Sequence, residues 1–117
     1  MRQVSVNIQH WLDENGSPDE RVRRNALWIA RMIEYGGPLE PGFMRQTLIE
    51  CTMRPMRRRC PGLLWVLKRE DEIIEAWCGA CDQQRVYVSG WQDTEWADGV
   101  MEPVHESEFD PVTPPTN

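Results

Sequence analysis

Residues 51–81 read CTMRPMRRRCPGLLWVLKREDEIIEAWCGAC and hold all four cysteines of the chain. Between Cys60 and Cys78 lie two short apolar runs, Leu63–Leu67 and Ile73–Trp77, parted by the charged stretch Arg69–Glu72. Two such runs joined by a polar turn predict an antiparallel β-hairpin, with Trp65 and Trp77 as cross-strand partners. One cysteine pair leads into this hairpin and the other follows it, in the pattern C-x8-C-x17-C-x2-C. Rising from one pair and returning to the other, the hairpin brings four sulfurs to one end. Tetrahedral zinc makes that geometric demand, taking four thiolates at about 2.3 Å.

On these residues the stretch from about 47 to 90 resembles the zinc-ribbon family. Cys78-Gly79-Ala80-Cys81 corresponds to the family's second knuckle, where Gly79 allows a tight turn that points backbone N–H groups at sulfur. Cys60-Pro61-Gly62 corresponds to the approach to the hairpin. The first pair is more widely spaced than the two to four residues usual in the family. Closure entropy grows slowly with loop length, so the longer loop is physically tolerable. The resemblance implies a Zn²⁺ held by Cys51, Cys60, Cys78 and Cys81. It also implies a closed site with no open position for water, and so a non-catalytic role.

The loop between Cys51 and Cys60 carries Arg54, Arg57, Arg58 and Arg59. Four thiolates on Zn²⁺ leave a formal charge of −2, which nearby guanidinium groups would offset. The same arginines suit phosphate or a protein partner, so they stand as partner-binding candidates as well.

A second resemblance competes for the downstream pair. Trp77-Cys78-Gly79-Ala80-Cys81 is similar to the thioredoxin string WCGPC, with Ala for Pro, and implies a dithiol oxidoreductase using Cys78 and Cys81. In that family a long helix follows the first cysteine. Here Arg85–Ser89 follows, and it reads as a strand. A Cys51–Cys60 disulfide is the remaining use of the first pair, suited to an oxidising compartment. His10 and His105 are substitute ligands only in principle, since lone histidines are more often exposed or satisfied in a core.

Outward from the cysteines, Thr47–Glu50 reads as a short strand leading into Cys51. Gly36–Gly42 (GGPLEPG) is a turn-rich linker. Before it, Val22, Ala26, Ile29 and Ile33 fall on one face of a helix over about 18–35. Ser17 and Glu20 supply a capping box, and Gly36-Gly37-Pro38 a stop. Ile8, Trp11 and Leu12 suggest a shorter helix over about 5–13, ended by Glu14-Asn15-Gly16. Two helices joined by a turn also suit a helix-turn-helix, but Arg24, Arg31 and Glu34 mix both signs without a basic stripe, which favours a plain hairpin. Trp91 and Trp96, set among polar residues, either dock on these helices or mark a partner surface.

Charge is segregated along the chain. Residues 45–69 carry seven basic side chains against Glu50, whereas 70–117 carry twelve acids against Arg85, within a net charge of −6 over 117 residues. No apolar run approaches the ~20 residues that span a bilayer, and the first residues lack a signal-peptide pattern. A reducing cytoplasm is the expected setting, where clustered cysteines bind metal or do redox work. The expected architecture is α+β. An N-terminal helical hairpin (1–42) would pack on a small antiparallel zinc-ribbon-like sheet (43–97), followed by a flexible acidic, proline-containing tail (98–117). The expected function is a non-catalytic zinc-binding module for a protein or nucleic acid, without a membrane.

Overall fold

Alternation sets the two faces of the sheet. In the computed structural model, which describes residues 2–99, strand β3 (Leu63–Lys68) buries Leu64, Val66 and Lys68 and leaves Leu63, Trp65 and Leu67 half-buried. Strand β4 (Ile74–Cys78) repeats the pattern with Ile74, Ala76 and Cys78 inside. The two form the expected hairpin, with Trp65 opposite Trp77 and Lys68 opposite Ile74. Strands β2 (Met44–Glu50) and β5 (Gln84–Ser89) flank them, each antiparallel to the hairpin strand beside it.

The fifth strand, β1 (Arg2–Asn7), comes from the N-terminus and pairs in parallel with β5, with Val4 beside Val86 and Val6 beside Val88. The sheet order is β1-β5-β4-β3-β2, mixed rather than purely antiparallel. Helix α1 (Arg23–Gly36) lies across the inner face against β2, β3 and β4. It buries Ala26, Ile29, Ala30, Met32, Ile33 and Gly36. Each large aliphatic side chain fully buried here contributes about 1.5–3 kcal/mol before the entropy of ordering is subtracted.

The expected N-terminal helical hairpin is not formed, and this corrects the predicted fold class. A strand and one short turn replace the first helix. Val4 and Val6 alternate as a half-buried strand requires, and β5 offers them a six-residue ladder. An isolated helix of nine residues has no comparable support, because nucleation is costly and short helices are marginal in water. Ile8, Trp11 and Leu12 do share a side, but their spacing spans only the single 3₁₀ turn Ile8–Trp11. Ile8 is fully buried there, so the apolar signal was real and its period was misread.

The second helix is present but starts later than expected. A 3₁₀ turn at Glu20–Val22 precedes α1, and its cap is Asp19, whose side chain accepts from the Arg21 N–H at 2.9 Å. Ser17 instead belongs to a turn in which Asp13 Oδ1 accepts from the N–H groups of Asn15 and Ser17. The helix ends at Gly36-Gly37, though not through a left-handed glycine, since Gly37 has φ −57°. Glycine is needed there because a Cβ would collide with the carbonyl oxygen of Ala97.

That approach brings the segment after β5 across the C-terminal end of α1. Trp91 is 4% exposed and its Nε1 donates to Glu72 O at 2.8 Å. Lys68 is buried, donates from Nζ to Gly37 O at 2.6 Å, and lies 4.8 Å from the Trp91 ring centroid. A cation at the carbonyl end of a helix is favoured by the helix dipole, and the ring face adds a second attraction. The tail expected over 98–117 lies outside the described residues, apart from Asp98 and Gly99, as does His105. Among the described residues no helix is long and apolar enough to cross a membrane.

Candidate metal centre

The end of the sheet away from Lys68 collects the cysteines. Cys51 follows β2, Cys60 precedes β3, Cys78 is the last residue of β4, and Cys81 lies between β4 and β5. The wide spacing of the first pair has a local explanation. The β2–β3 register shifts between Gln46 and Glu50, and Thr47 bridges the shift. Its hydroxyl donates to Leu64 O at 2.8 Å and accepts from the Ile49 N–H at 3.0 Å. Past the shift, Cys51 N–H bonds Gly62 O and Cys60 N–H bonds Met53 O, each at 3.0 Å. These two bonds close the loop at its base, so the eight intervening residues do not separate the sulfurs.

All four Sγ atoms lie within 4.8 Å of one another. The short contacts are Cys51 to Cys81 and Cys60 to Cys78, both 3.6 Å. An ideal tetrahedron with metal–sulfur bonds of 2.3 Å has edges of about 3.8 Å, so the four positions fit a single ion. All four thiols are free, so the loop is not closed by a Cys51–Cys60 disulfide.

Backbone donors converge on the sulfurs with a repeated offset. Met53 N–H points at Cys51, Gly62 N–H at Cys60 and Ala80 N–H at Cys78, at 3.3–3.4 Å. Gln83 makes the corresponding contact with Cys81. Each cysteine thus receives the amide two residues later, a knuckle geometry that stabilises thiolate. Gly62 is required for a second reason, because a Cβ there would sit 2.6 Å from Cys78 Sγ.

The environment splits the thiols. Burial pushes Cys51 up to about 12, against the lowering effect of the Met53 N–H. Burial also raises Cys81 above its ordinary value. Burial acts on Cys78 in the same direction, but the N–H groups of Cys81 and Ala80 and the thiols of Cys60 and Cys51 outweigh it and bring the group to about 7. A cluster in which Cys78 is lowered while Cys51 and Cys81 are raised is primed for a cation that displaces protons. Strand β5 follows Cys81 where a helix would have to start, so no helix dipole acts on Cys78.

The arginines of the loop face outward. Arg54, Arg57, Arg58 and Arg59 are all exposed, and none donates a hydrogen bond to sulfur among the described residues. Arg59 pairs with Glu50, and Arg54 donates to Arg57 O at 3.3 Å. Of the tryptophan candidates, Trp91 is buried in the core and offers no partner surface. Trp96 is half-buried against the same core. Trp91 contacts the β3–β4 turn at Glu72 and the Lys68 side chain. His10 sits in the 3₁₀ turn after β1, outside the cysteine cluster.

Sequence reasoning missed the wall of the site. Trp28 of α1 lines a small cavity with Cys51, Thr52, Met53, Leu64 and Cys78, and its Nε1 is buried without an acceptor. Its place on the apolar side of the helix was legible, but its neighbours depend on the helix lying across the sheet. No family model, curated protein or solved structure matches this chain. What the chain shows of a zinc ribbon is therefore limited to its four clustered cysteines.

Proposed function

We propose that this protein is a non-catalytic module whose loop end is held by one Zn²⁺ bound to Cys51, Cys60, Cys78 and Cys81. The observation that carries this reading is the convergence of four sulfurs within 4.8 Å at one end of a β-hairpin. Four thiolates fill a tetrahedral site, so the ion would supply folding energy rather than a reactive water. The residues around it act accordingly: amides orient and stabilise the thiolates, Gly62 permits close approach, and the sheet excludes water from Cys78. With the loop anchored, the module presents its exposed arginines to a protein or nucleic-acid partner.

Elemental analysis of protein purified without added metal, together with a thiol count, tests the reading. About one equivalent of zinc per chain is expected, with thiols that resist alkylation until a chelator is added. Iron at the same stoichiometry would keep the site and change the ion, since four thiolates also suit iron. A folded, metal-free protein would overturn the proposal. A second reading, dithiol oxidoreductase, draws support from the lowered Cys78 thiol. Insulin-disulfide reduction by the metal-loaded protein would establish it. No activity is expected, because Cys78 is buried and its short sulfur contact is with Cys60 rather than Cys81.

A further inference from the structure

We propose that the tip of the Cys51–Cys60 loop is a docking surface for an acidic segment of a partner protein, with Met56 as its apolar anchor. The inference deepens the proposed function and rests on it in one respect, that the metal centre holds the base of the loop. Beyond that base the tip makes few contacts with the rest of the fold. Met56 is 94% exposed, the most open of the large apolar side chains. Met56 and Arg57 both adopt left-handed backbone, with φ 55° and 67°. Two consecutive non-glycine residues there are costly, and such conformations concentrate at functional sites. Bonds from Arg57 N–H to Arg54 O and from Arg58 N–H to Pro55 O hold the tip in this shape.

Among the described residues the charge around Met56 is uncompensated by ion pairs. Arg54, Arg57 and Arg58 have no carboxylate within ion-pair distance among the described residues, while Arg59 is occupied by Glu50. No guanidinium is turned back to the sulfurs, whose hydrogen-bond donors are backbone amides. The tip therefore presents an apolar knob ringed by planar cations. Methionine and arginine are both enriched at the cores of protein interfaces, and methionine adapts to irregular pockets. A nucleic-acid backbone would use the arginines but leave Met56 in water. A short acidic segment with an apolar pocket or side chain matches both features, and Glu50 already shows that the loop pairs with carboxylate.

The test is fluorescence anisotropy with two labelled probes, a peptide of repeated Asp-Glu-Leu-Phe units and a mixed-sequence oligonucleotide. It uses the full chain and the variants R57E/R58E, M56A and R31E, with metal content measured for each. Arg31 is exposed on α1 and serves as the charge control. Saturable peptide binding is expected, weakened about tenfold or more by R57E/R58E, weakened less by M56A, and unchanged by R31E. Failure to bind the peptide, or equal loss with R31E, overturns the proposal. Preferential oligonucleotide binding that is lost with R57E/R58E and indifferent to M56A also overturns it, in favour of nucleic acid. Metal-free protein that still binds the peptide would reject the zinc reading and leave this surface standing. Metal-loaded protein that does not bind would do the reverse.

Discussion

The β3–β4 hairpin is closed at its two ends by opposite means. At one end four sulfurs converge, and at the other Lys68 and Trp91 lock the sheet to the C-terminus of α1. The second end is complete in itself. Trp91 is buried, its indole N–H is satisfied, and the Lys68 ammonium has a carbonyl and a ring face. The first end has donors aimed at sulfurs and a loop base tied by two backbone bonds, and its four clustered sulfurs are arranged to hold a metal ion. One end is therefore stable by burial and fixed hydrogen bonds. The other, on the proposed function, would depend on an ion and on pH.

The largest effect should come from removing the ion or a ligand. Structural zinc in four-ligand peptides is worth about 10–16 kcal/mol, and here that free energy would act at a single end. Chelation, or Cys78→Ser, should speed hydrogen exchange by orders of magnitude across 51–62 and 78–83. The amides near Ile33, Lys68 and Ile74 should keep most of their protection. Equal loss at both ends would mean one cooperative unit, and the contrast would disappear.

Acid should act at the same end. With Cys51 pushed up to about 12 and Cys81 also raised, both are thiols in the metal-free protein at neutral pH. Binding must expel both protons, so affinity falls as pH falls, by about tenfold per proton for each pH unit. These two groups alone predict a loss of roughly a hundredfold per unit below neutrality. A metal-competition titration with an indicator at several pH values measures it. A pH-independent affinity would contradict thiolate ligation.

Trp91→Ala attacks the other end. Truncating a buried tryptophan costs about 3–5 kcal/mol, and here it also leaves the Glu72 carbonyl without its donor. Denaturant unfolding should show that loss with metal stoichiometry unchanged. Metal loss in this variant would show that the two ends are coupled.

The two ends also differ in how far they could be read from sequence. The hairpin and the four sulfurs follow from local runs and spacings, and residues 63–68 and 74–78 pair as those runs require. The Lys68–Trp91 lock joins residues far apart in the chain, and nothing near either one announces the other. Trp91 among polar neighbours left docking and a partner surface both open, because the Lys68 and Glu72 groups it meets are distant in sequence. The first strand was hidden differently. Ile8, Trp11 and Leu12 carry a helical spacing, but only one turn of it, and the alternation of Val4 and Val6 is too brief to outweigh it alone. The tertiary ladder with β5 decides the matter. The bulge at Thr47 was equally invisible, and it lies in the strand that delivers Cys51 to the cluster despite the eight-residue spacing.

Lys68→Met separates packing from polarity at the second end. The substitution keeps an unbranched apolar stem but leaves Gly37 O without its buried donor. An acceptor left unsatisfied costs about 1–3 kcal/mol when buried, and Gly37 is only half-buried, so the loss should be smaller than for Trp91→Ala. A neutral or stabilising result would mean that the stem, not the ammonium, matters at this end.

The smallest effect is expected at the charged pair that flanks Cys51 and Cys60 in the chain. Arg59 and Glu50 pair at the mouth of the loop, but their side chains are 62% and 68% exposed. Solvent screening limits such pairs to about 0–1 kcal/mol, so Arg59→Gln should barely move unfolding. Its bearing on the metal is the sharper question. If guanidinium charge balanced the thiolates, the variant would release zinc to a chelator faster. The sulfurs are served instead by the N–H groups of Met53, Gly62 and Ala80, which the substitution leaves in place. Release kinetics should therefore match the unmodified protein. A markedly faster release would return the loop arginines to the metal centre and weaken the case that they face a partner.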